Sequence, residues 1–368
     1  MQSLDEKTWK QLSAFGDGAP LHIETTNSSI DGIRLIDDGE KSVPYITRSD
    51  ANNGLARFVS AKNYEFGSDD GGCITVGLDT QTAFYQPHKF VTGQNVQVIT
   101  GENISEDVAQ FMVPILRQQM TAKFNWGGNG ATLGRMRRLT VMLPVTDSGE
   151  PDYEYMAEYA RQKRDTMLAK YRAYVEAHIA ELGEVAEIPA LDEKEWKPFS
   201  IVDLFSSIIP GKGKGLNHLK KVCADGVNYI GATNRNNGVL CYVEEDTYSR
   251  PMILEGNCIG FIKNGDGSAG FAIYKAEQFI STSDVLYGYA DWLNKFTGLF
   301  FVVAQDMIEH KYSHGYKRNK EHLAGDKVML PVTDSSEPDY EYMEQYAKNM
   351  MLRKYQRYLT FLQQRSNA

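Results

Sequence analysis

Cysteine is scarce: Cys73, Cys223, Cys241 and Cys258 are the only four in 368 residues, and no two form a CxxC pair. That spacing argues against both a disulfide framework and a zinc site. No run of about 18 apolar residues occurs, as a membrane-spanning helix would need, and the opening MQSLDEKTWKQL has neither the basic nor the apolar region of a secretory leader. A cytoplasmic protein without a membrane partner is the expectation. Positive charge is also in deficit: 39 Lys and Arg against 48 Asp and Glu give a net charge of −9. A simple basic nucleic-acid binder acting alone is disfavoured, and the distribution of charge matters more than its sum.

What the chain does have is a copy of itself. Val141 to Met156, VMLPVTDSGEPDYEYM, returns at Val328 to Met343 as VMLPVTDSSEPDYEYM, matching at fifteen of sixteen positions. With a chance match at each position of roughly one in fifteen, this is an internal duplication. The same offset of 187 relates Leu4-Asp5-Glu6-Lys7-Thr8-Trp9-Lys10 to Leu191-Asp192-Glu193-Lys194-Glu195-Trp196-Lys197. Each repeat opens on LDEKxWK and closes on a shared helical rod.

Apolar residues at helical spacing follow the duplicated run, among them Tyr153, Ala157, Ala160, Met167, Tyr171 and Tyr174 in the first copy and Tyr340, Met343, Ala347, Met350 and Tyr355 in the second. Pro151 and Pro338 are expected in the first helical turn, where a missing N–H is tolerated. The apolar stripe is narrow and suits pairing with another helix, the simplest partner for each rod being the other. The offset falls from 187 to 184 inside the rods, so the second is expected to be three residues shorter.

Between opening and rod, each copy shows short apolar segments broken by Gly, Asn and Asp, which predicts a mainly β unit. Pro44-Tyr45-Ile46-Thr47 and Asn52-Asn53-Gly54 answer Asn228-Tyr229-Ile230-Gly231 and Asn236-Asn237-Gly238; Cys73 to Val76 answers Cys258 to Phe261, and Phe90-Val91-Thr92 answers Phe279-Ile280-Ser281. The turns between these strands change length, as loops on a common scaffold do. Helices are predicted at Ser105 to Met120 and Trp292 to Ile308. Each precedes the most basic segment of its copy, Lys123 to Arg138 and Lys311 to Lys320, with four cations and no acid apiece. Gly211 to Lys221 adds a third basic loop.

Several motifs are better read without chemistry. Gly265 to Gly270 matches GxGxxG, but it lies between two strand-like runs where the dinucleotide fingerprint must open a helix, so a hairpin loop is preferred. Gly211-Lys212-Gly213-Lys214-Gly215 fails the phosphate-loop spacing. Glu195-Trp196-Lys197 offers an ExK fragment, but its counterpart Thr8-Trp9-Lys10 lacks the carboxylate that metal-dependent cleavage needs. His310 and His314 lack the glutamate of HExxH, and no GxSxG frame positions a Ser/His/Asp set. No catalytic constellation and no metal site is found.

Two β-rich units with different basic loops, spaced by two rods that begin alike, form the layout of a device that reads two short DNA sequences at a fixed distance. With its two LDEKxWK openings, its EPDYEYM helix starts and the Lys170-Tyr171 and Lys354-Tyr355 elements, nearly the whole chain resembles the DNA specificity (S) subunit of type I restriction–modification systems, and the similar S subunit of type IIB systems. The resemblance implies an α+β fold of two mainly β target-recognition domains separated by two long antiparallel helices, related by a pseudo-two-fold axis. It places the domains at 1–147 and 196–333, the spacer helices at 148–182 and 334–365, and a linker at 183–195. It further implies double-stranded DNA as ligand, two methyltransferase subunits docked on the coiled-coil-like helices, a restriction subunit in some systems, and N6-adenine methylation by the complex. S-adenosylmethionine would be held by the partner, since this chain has no NPPY or DPPY motif and is expected to be non-catalytic. Candidate DNA-binding residues are Arg48, Asn52, Lys123, Asn125, Asn129 and Arg135 in the first domain, and Lys212, Lys214, Arg235, Asn236, Lys311, His314, Lys317 and Arg318 in the second: cations for phosphates, and Arg, Asn and His for base edges. The competing reading is a tandem binding module for a carbohydrate or protein, with the rods as an oligomerisation stalk.

Overall fold

The structure, a computed structural model, describes residues 2–16, 19–124, 130–223, 225–265, 267–313 and 315–366. The chain divides into two compact units, Met1–Tyr171 and Arg172–Ala368.

In the first unit the strands are β1 (Trp9–Ser13), β2 (His22–Thr25), β3 (Val43–Ile46), β4 (Leu55–Val59), β5 (Cys73–Gly77), β6 (Ala83–Gln86), β7 (Val91–Thr92) and β8 (Val96–Thr100). Helices α1 (Glu106–Lys123) and α2 (Leu133–Met136) follow, then β9 (Thr140–Pro144) and the long α3 (Tyr153–Leu182). Three sheets form, in the orders β2-β8-β5-β6, β4-β3-β7 and β1-β9. All five residues of β5 are buried, as a central strand rich in apolar and β-branched residues should be. The Ser105 side chain accepts from the Val108 N–H, capping α1 outside its first turn, where Glu106 and Asp107 favour the helix dipole. Helix α1 lays Phe111, Met112 and Leu116 on this sheet, and Tyr155 and Met156 from the start of α3 complete the same core.

In the second unit the order repeats as β10 (Trp196–Ser200), β11 (Ser207–Pro210), β12 (Lys221–Val222), β13 (Val227–Ile230), β14 (Val239–Val243), β15 (Cys258–Ile262), β16 (Ala272–Lys275), β17 (Phe279–Ser281) and β18 (Val285–Tyr289). Helices α4 (Lys295–Asp306) and α5 (Lys320–Ala324), strand β19 (Lys327–Pro331) and helix α6 (Tyr340–Ser366) end it. Its sheets, β11-β18-β15-β16, β12-β14-β13-β17 and β10-β19, reproduce those of the first unit with β12 added at one edge. Gly265 to Gly270 joins the antiparallel pair β15 and β16, so this glycine run is a hairpin loop.

The duplicated signals are structural clasps. Lys7 reaches Asp152 and Lys194 reaches Asp339, each at 2.7 Å. The Trp9 and Trp196 indoles donate to the carbonyls of Leu4 and Leu191 and stack on Phe111 and Phe300, both with ring centroids 6.1 Å apart. Glu195 pairs with Lys197 at 3.1 Å, and among the described residues no group of three His, Cys, Asp or Glu side chains is placed to hold a metal ion.

Two boundaries differ from expectation. Pro151 and Pro338 stand before their helices, in isolated β-bridges to Val145 and Val332. The residue after each proline caps the helix, Asp152 and Asp339 accepting from the Tyr155 and Tyr342 N–H groups at 3.0 and 2.9 Å. The second predicted short helix begins at Lys295 because Asn294 forms a capping box with Thr297.

The two rods run for 30 and 27 residues. Within the second unit, Tyr174 and His178 face Tyr355, and farther along the chain Ala186 exchanges two hydrogen bonds with the Asn349 side chain. The partner number falls as the residue number rises, so the chain from the end of α3 to Ala186 runs antiparallel to α6. No described helix is long and apolar enough to cross a membrane.

Candidate nucleic-acid interface

Each unit gathers three loops from distant parts of its sequence. In the first, the corner after β3, the turn between β5 and β6 and the segment around α2 come together. Arg48 on the corner is ion-paired with Asp79 on the turn, and Thr80 donates to the Arg48 carbonyl at 2.7 Å. Asn95, between β7 and β8, also donates to Asp79 at 3.2 Å. The Ala131 N–H donates to the Leu78 carbonyl at 2.9 Å, and Arg135 donates to Gly130 at 3.0 Å, fixing the α2 segment beside the same turn.

The second unit repeats the arrangement with other side chains. Ser268 on the β15–β16 loop donates to Asn234 on the corner at 3.1 Å. The Arg318 N–H donates to the Lys263 carbonyl at 2.9 Å, joining the 309–319 segment to that loop. Arg235 and Lys317 are exposed here. Exposed Lys212 and Lys214 lie on a strap that bridges Gly213 to Thr282, beside the start of the corner.

The corners themselves are built alike. Asn52, Asn53 and Gly54 all have positive φ, as do Asn236, Asn237 and Gly238. Asparagine and glycine tolerate this left-handed region best. Asn53 and Asn237 each donate to a strand carbonyl, of Tyr85 and Tyr274, at 2.9 Å. A Cβ on Gly238 would come within 2.8 Å of Ile230 and Ile273. Asn-Asn-Gly is therefore scaffold, and the exposed Asn52 and Asn236 owe their identity to backbone shape.

Two further candidates are anchors. Lys123 ends α1 and donates to Thr140 at the start of β9 at 3.4 Å, while Lys311 approaches Asp326, just before β19, at 3.5 Å. Both tie the start of a basic segment back to the closing strand. Asn125, Asn129 and His314 lie outside the described residues.

Arg318 must be withdrawn as a base reader. Its side chain is 0% exposed; it pairs with Asp326 at 2.8 Å, donates to Gly270 and Gln305, and lies over the rings of Phe261 and Tyr312. Tyr312 donates to the same Asp326 carboxylate at 2.8 Å. Burial lowers the Arg318 pKa and raises that of Tyr312. A guanidinium paired in this way holds a core together and has no edge to offer a base. In the first unit the residue just before β9 is the buried Leu139, so the same place is apolar there.

Sequence reasoning passed over Asn95, Asn234 and Lys263, which the fold brings to this edge. Lys263 is the first residue after β15, as Leu78 is after β5, and that shared place was the available signal.

Comparison with known proteins agrees with this geometry. Residues 22–169 match the type I restriction modification DNA specificity domain family. A curated relative, the type II restriction enzyme BgcI specificity subunit S.BcgI of Heyndrickxia coagulans, is 27% identical over 317 residues, covering 84% of this chain and 86% of that one. The chain is similar to the DNA specificity subunits of restriction–modification systems. The fold is similar to the crystal structure of the type I restriction–modification S subunit from M. genitalium, with a TM-score of 0.50 at 12% identity over 99% of this chain and 95% of that one. Specificity subunits choose the DNA sequence and are non-catalytic. The tandem carbohydrate- or protein-binding reading is accordingly not favoured.

Proposed function

We propose that each unit reads one half of a bipartite, asymmetric DNA site, the target-recognition domains being 1–147 and 196–333. The observation that carries this reading is the paired loop cluster: one scaffold presents the same three loops twice, with different side chains on them. Loops that differ on an unchanged scaffold specify different sequences. Lys212, Lys214, Arg135 and Lys317 meet phosphates, while Arg48 and Arg235 are the described candidates for base edges.

The rods at 148–182 and 334–365 set the distance between the half-sites and dock two methyltransferase subunits, joined in some complexes by a restriction subunit. S-adenosylmethionine belongs to the methyltransferase partner, and the complex methylates adenine at N6. These assignments rest on the resemblance and on the shared rod starts.

Single-molecule sequencing of host DNA, with and without this gene, tests the reading. Loss of one split, asymmetric N6-methyladenine motif on deletion supports it, and an unchanged methylation pattern refutes it.

A further inference from the structure

The two units are unequal at one matched position. In the first, Tyr45 donates its hydroxyl to the Ile30 carbonyl at 2.9 Å, and the Ile30 N–H donates to Thr92 on β7 at 2.7 Å. In the second, Tyr229 donates to the Lys214 carbonyl at 2.8 Å, and the Gly213 N–H donates to Ser281 on β17 at 2.7 Å. Tyr45 and Tyr229 are matching residues of β3 and β13, and β7 and β17 pair with those strands in the same parallel sense. The straps at 26–31 and 211–215 therefore occupy one place in the scaffold.

Their chemistry is opposite. Thr26, Asn27 and Ser28 of the first strap turn their polar groups inward, to Asp69 and Thr92, and Asp31 adds a negative charge. The second strap reads Gly211-Lys212-Gly213-Lys214-Gly215. A Cβ on Gly211 would stand 2.1 Å from the Thr282 carbonyl, and one on Gly213 would stand 2.8 Å from that of Ser281. Only glycine lets the strap lie flat on β17. The alternation of extended chain then turns Lys212 and Lys214 outward, where both are exposed. Lys214 lies 5.8 Å from the Tyr248 ring centroid, and β12, which has no counterpart among the described residues of the first unit, carries exposed Lys221 on the same connection.

We infer that this strap is an auxiliary grip on the DNA phosphate backbone, present in the second unit and absent from the first. It rests on the DNA-reading function proposed above and adds that the two half-sites are held unequally. The second has the longer contact with flanking duplex and the larger salt-dependent share of affinity, while the strap itself reads no base.

The test uses the full chain with its methyltransferase partner, a duplex carrying the motif, and the variant K212Q/K214Q. Each phosphate contact contributes about 0.9 to the slope of log affinity against log salt. The double variant should lower that slope by about 1.8, so that its affinity deficit is about tenfold greater at 50 mM salt than at 200 mM, with the methylated motif unchanged. Hydroxyl-radical footprinting of the unaltered complex gives an independent reading. Protection should run farther beyond one half-site, and only that extension should shrink in the variant. An unchanged slope, or a footprint symmetric about the site, overturns the grip while leaving the specificity function intact. Failure of the unaltered complex to select any split motif would count against the function itself.

Discussion

Lys7 and Asp152 stand 145 residues apart in the chain and meet at 2.7 Å; Lys194 and Asp339 repeat both figures. Each aspartate also caps its rod, so one carboxylate locks the opening of a unit to the helix that closes it. Burial pushes the Asp152 pKa up, but Lys7 and the Tyr155 N–H outweigh it and hold the carboxyl below its ordinary value. With side chains 14–18% exposed, the pair lies between a surface bridge and a core one. Lys7→Met and Lys194→Met should each cost about 2 kcal/mol, read by urea denaturation. A cost below about 0.5 kcal/mol would reduce the clasp to a surface contact.

Arg318→Ala should destabilise the second unit by about 3–5 kcal/mol, because it strands the Asp326 carboxylate in the core. The pair R318M/D326L should recover most of that loss, since the first unit keeps Leu139 in the place of Asp326. Denaturation measures both variants. With its methyltransferase partner the recovered protein should direct methylation to the original motif, and a changed motif would restore Arg318 as a reader.

The single mismatch in the duplicated run has a backbone cause. Gly149 has φ of 83° and Ser336 has φ of 68°, and Ser336 also accepts from Lys197 at 2.6 Å. Gly149→Ala should therefore cost about 1 kcal/mol, while Ser336→Gly trades relief of strain against the lost hydrogen bond and changes stability little. Melting temperatures of the two variants decide it.

Burial pushes the Cys73 and Cys258 thiols up to about 12 from an ordinary 9.0. The unfolded chain thus ionises them first, and the stability they contribute is whole below pH 9 and lost as pH rises toward 12. At pH 8 a thiol reagent should modify exposed Cys223 in the native chain and reach Cys73 and Cys258 only after urea is added. Mass mapping of the labelled peptides reports the outcome.

Arg235 is exposed on the second corner. Arg235→Ala should weaken or relax recognition of the second half-site by about 1–3 kcal/mol and leave the first half-site alone. Equal loss at both halves would make it a phosphate contact. Binding to duplexes altered in one half at a time separates the two cases.

The duplication, the strand blocks, the rods and the hairpin reading of the GxGxxG run were legible because they depend on order and period along the chain. Arg318 was not. Its partners Gly270, Gln305 and Asp326 lie 48, 13 and 8 residues away, and nothing local separates a core-bound arginine from its exposed neighbour Lys317. The Asn-Asn-Gly corners looked like polar loop residues for a similar reason. Their left-handed backbone and their bonds to Tyr85 and Tyr274 arise from tertiary placement. The extra strand β12 has only two residues, too few for a period to show.

Strands β9 and β19 share the letters VMLP, so β1 and β10 are each able to pair with either of them. Order of synthesis resolves the ambiguity. Pro144 leaves the ribosome about 50 residues ahead of Trp196, a lead of roughly 3–10 s at ordinary translation rates. That greatly exceeds the microseconds in which hairpins form. The first clasp shuts while its rival partner does not yet exist. Refolding from denaturant removes this head start, so both clasps must then choose between two partners that are present at once.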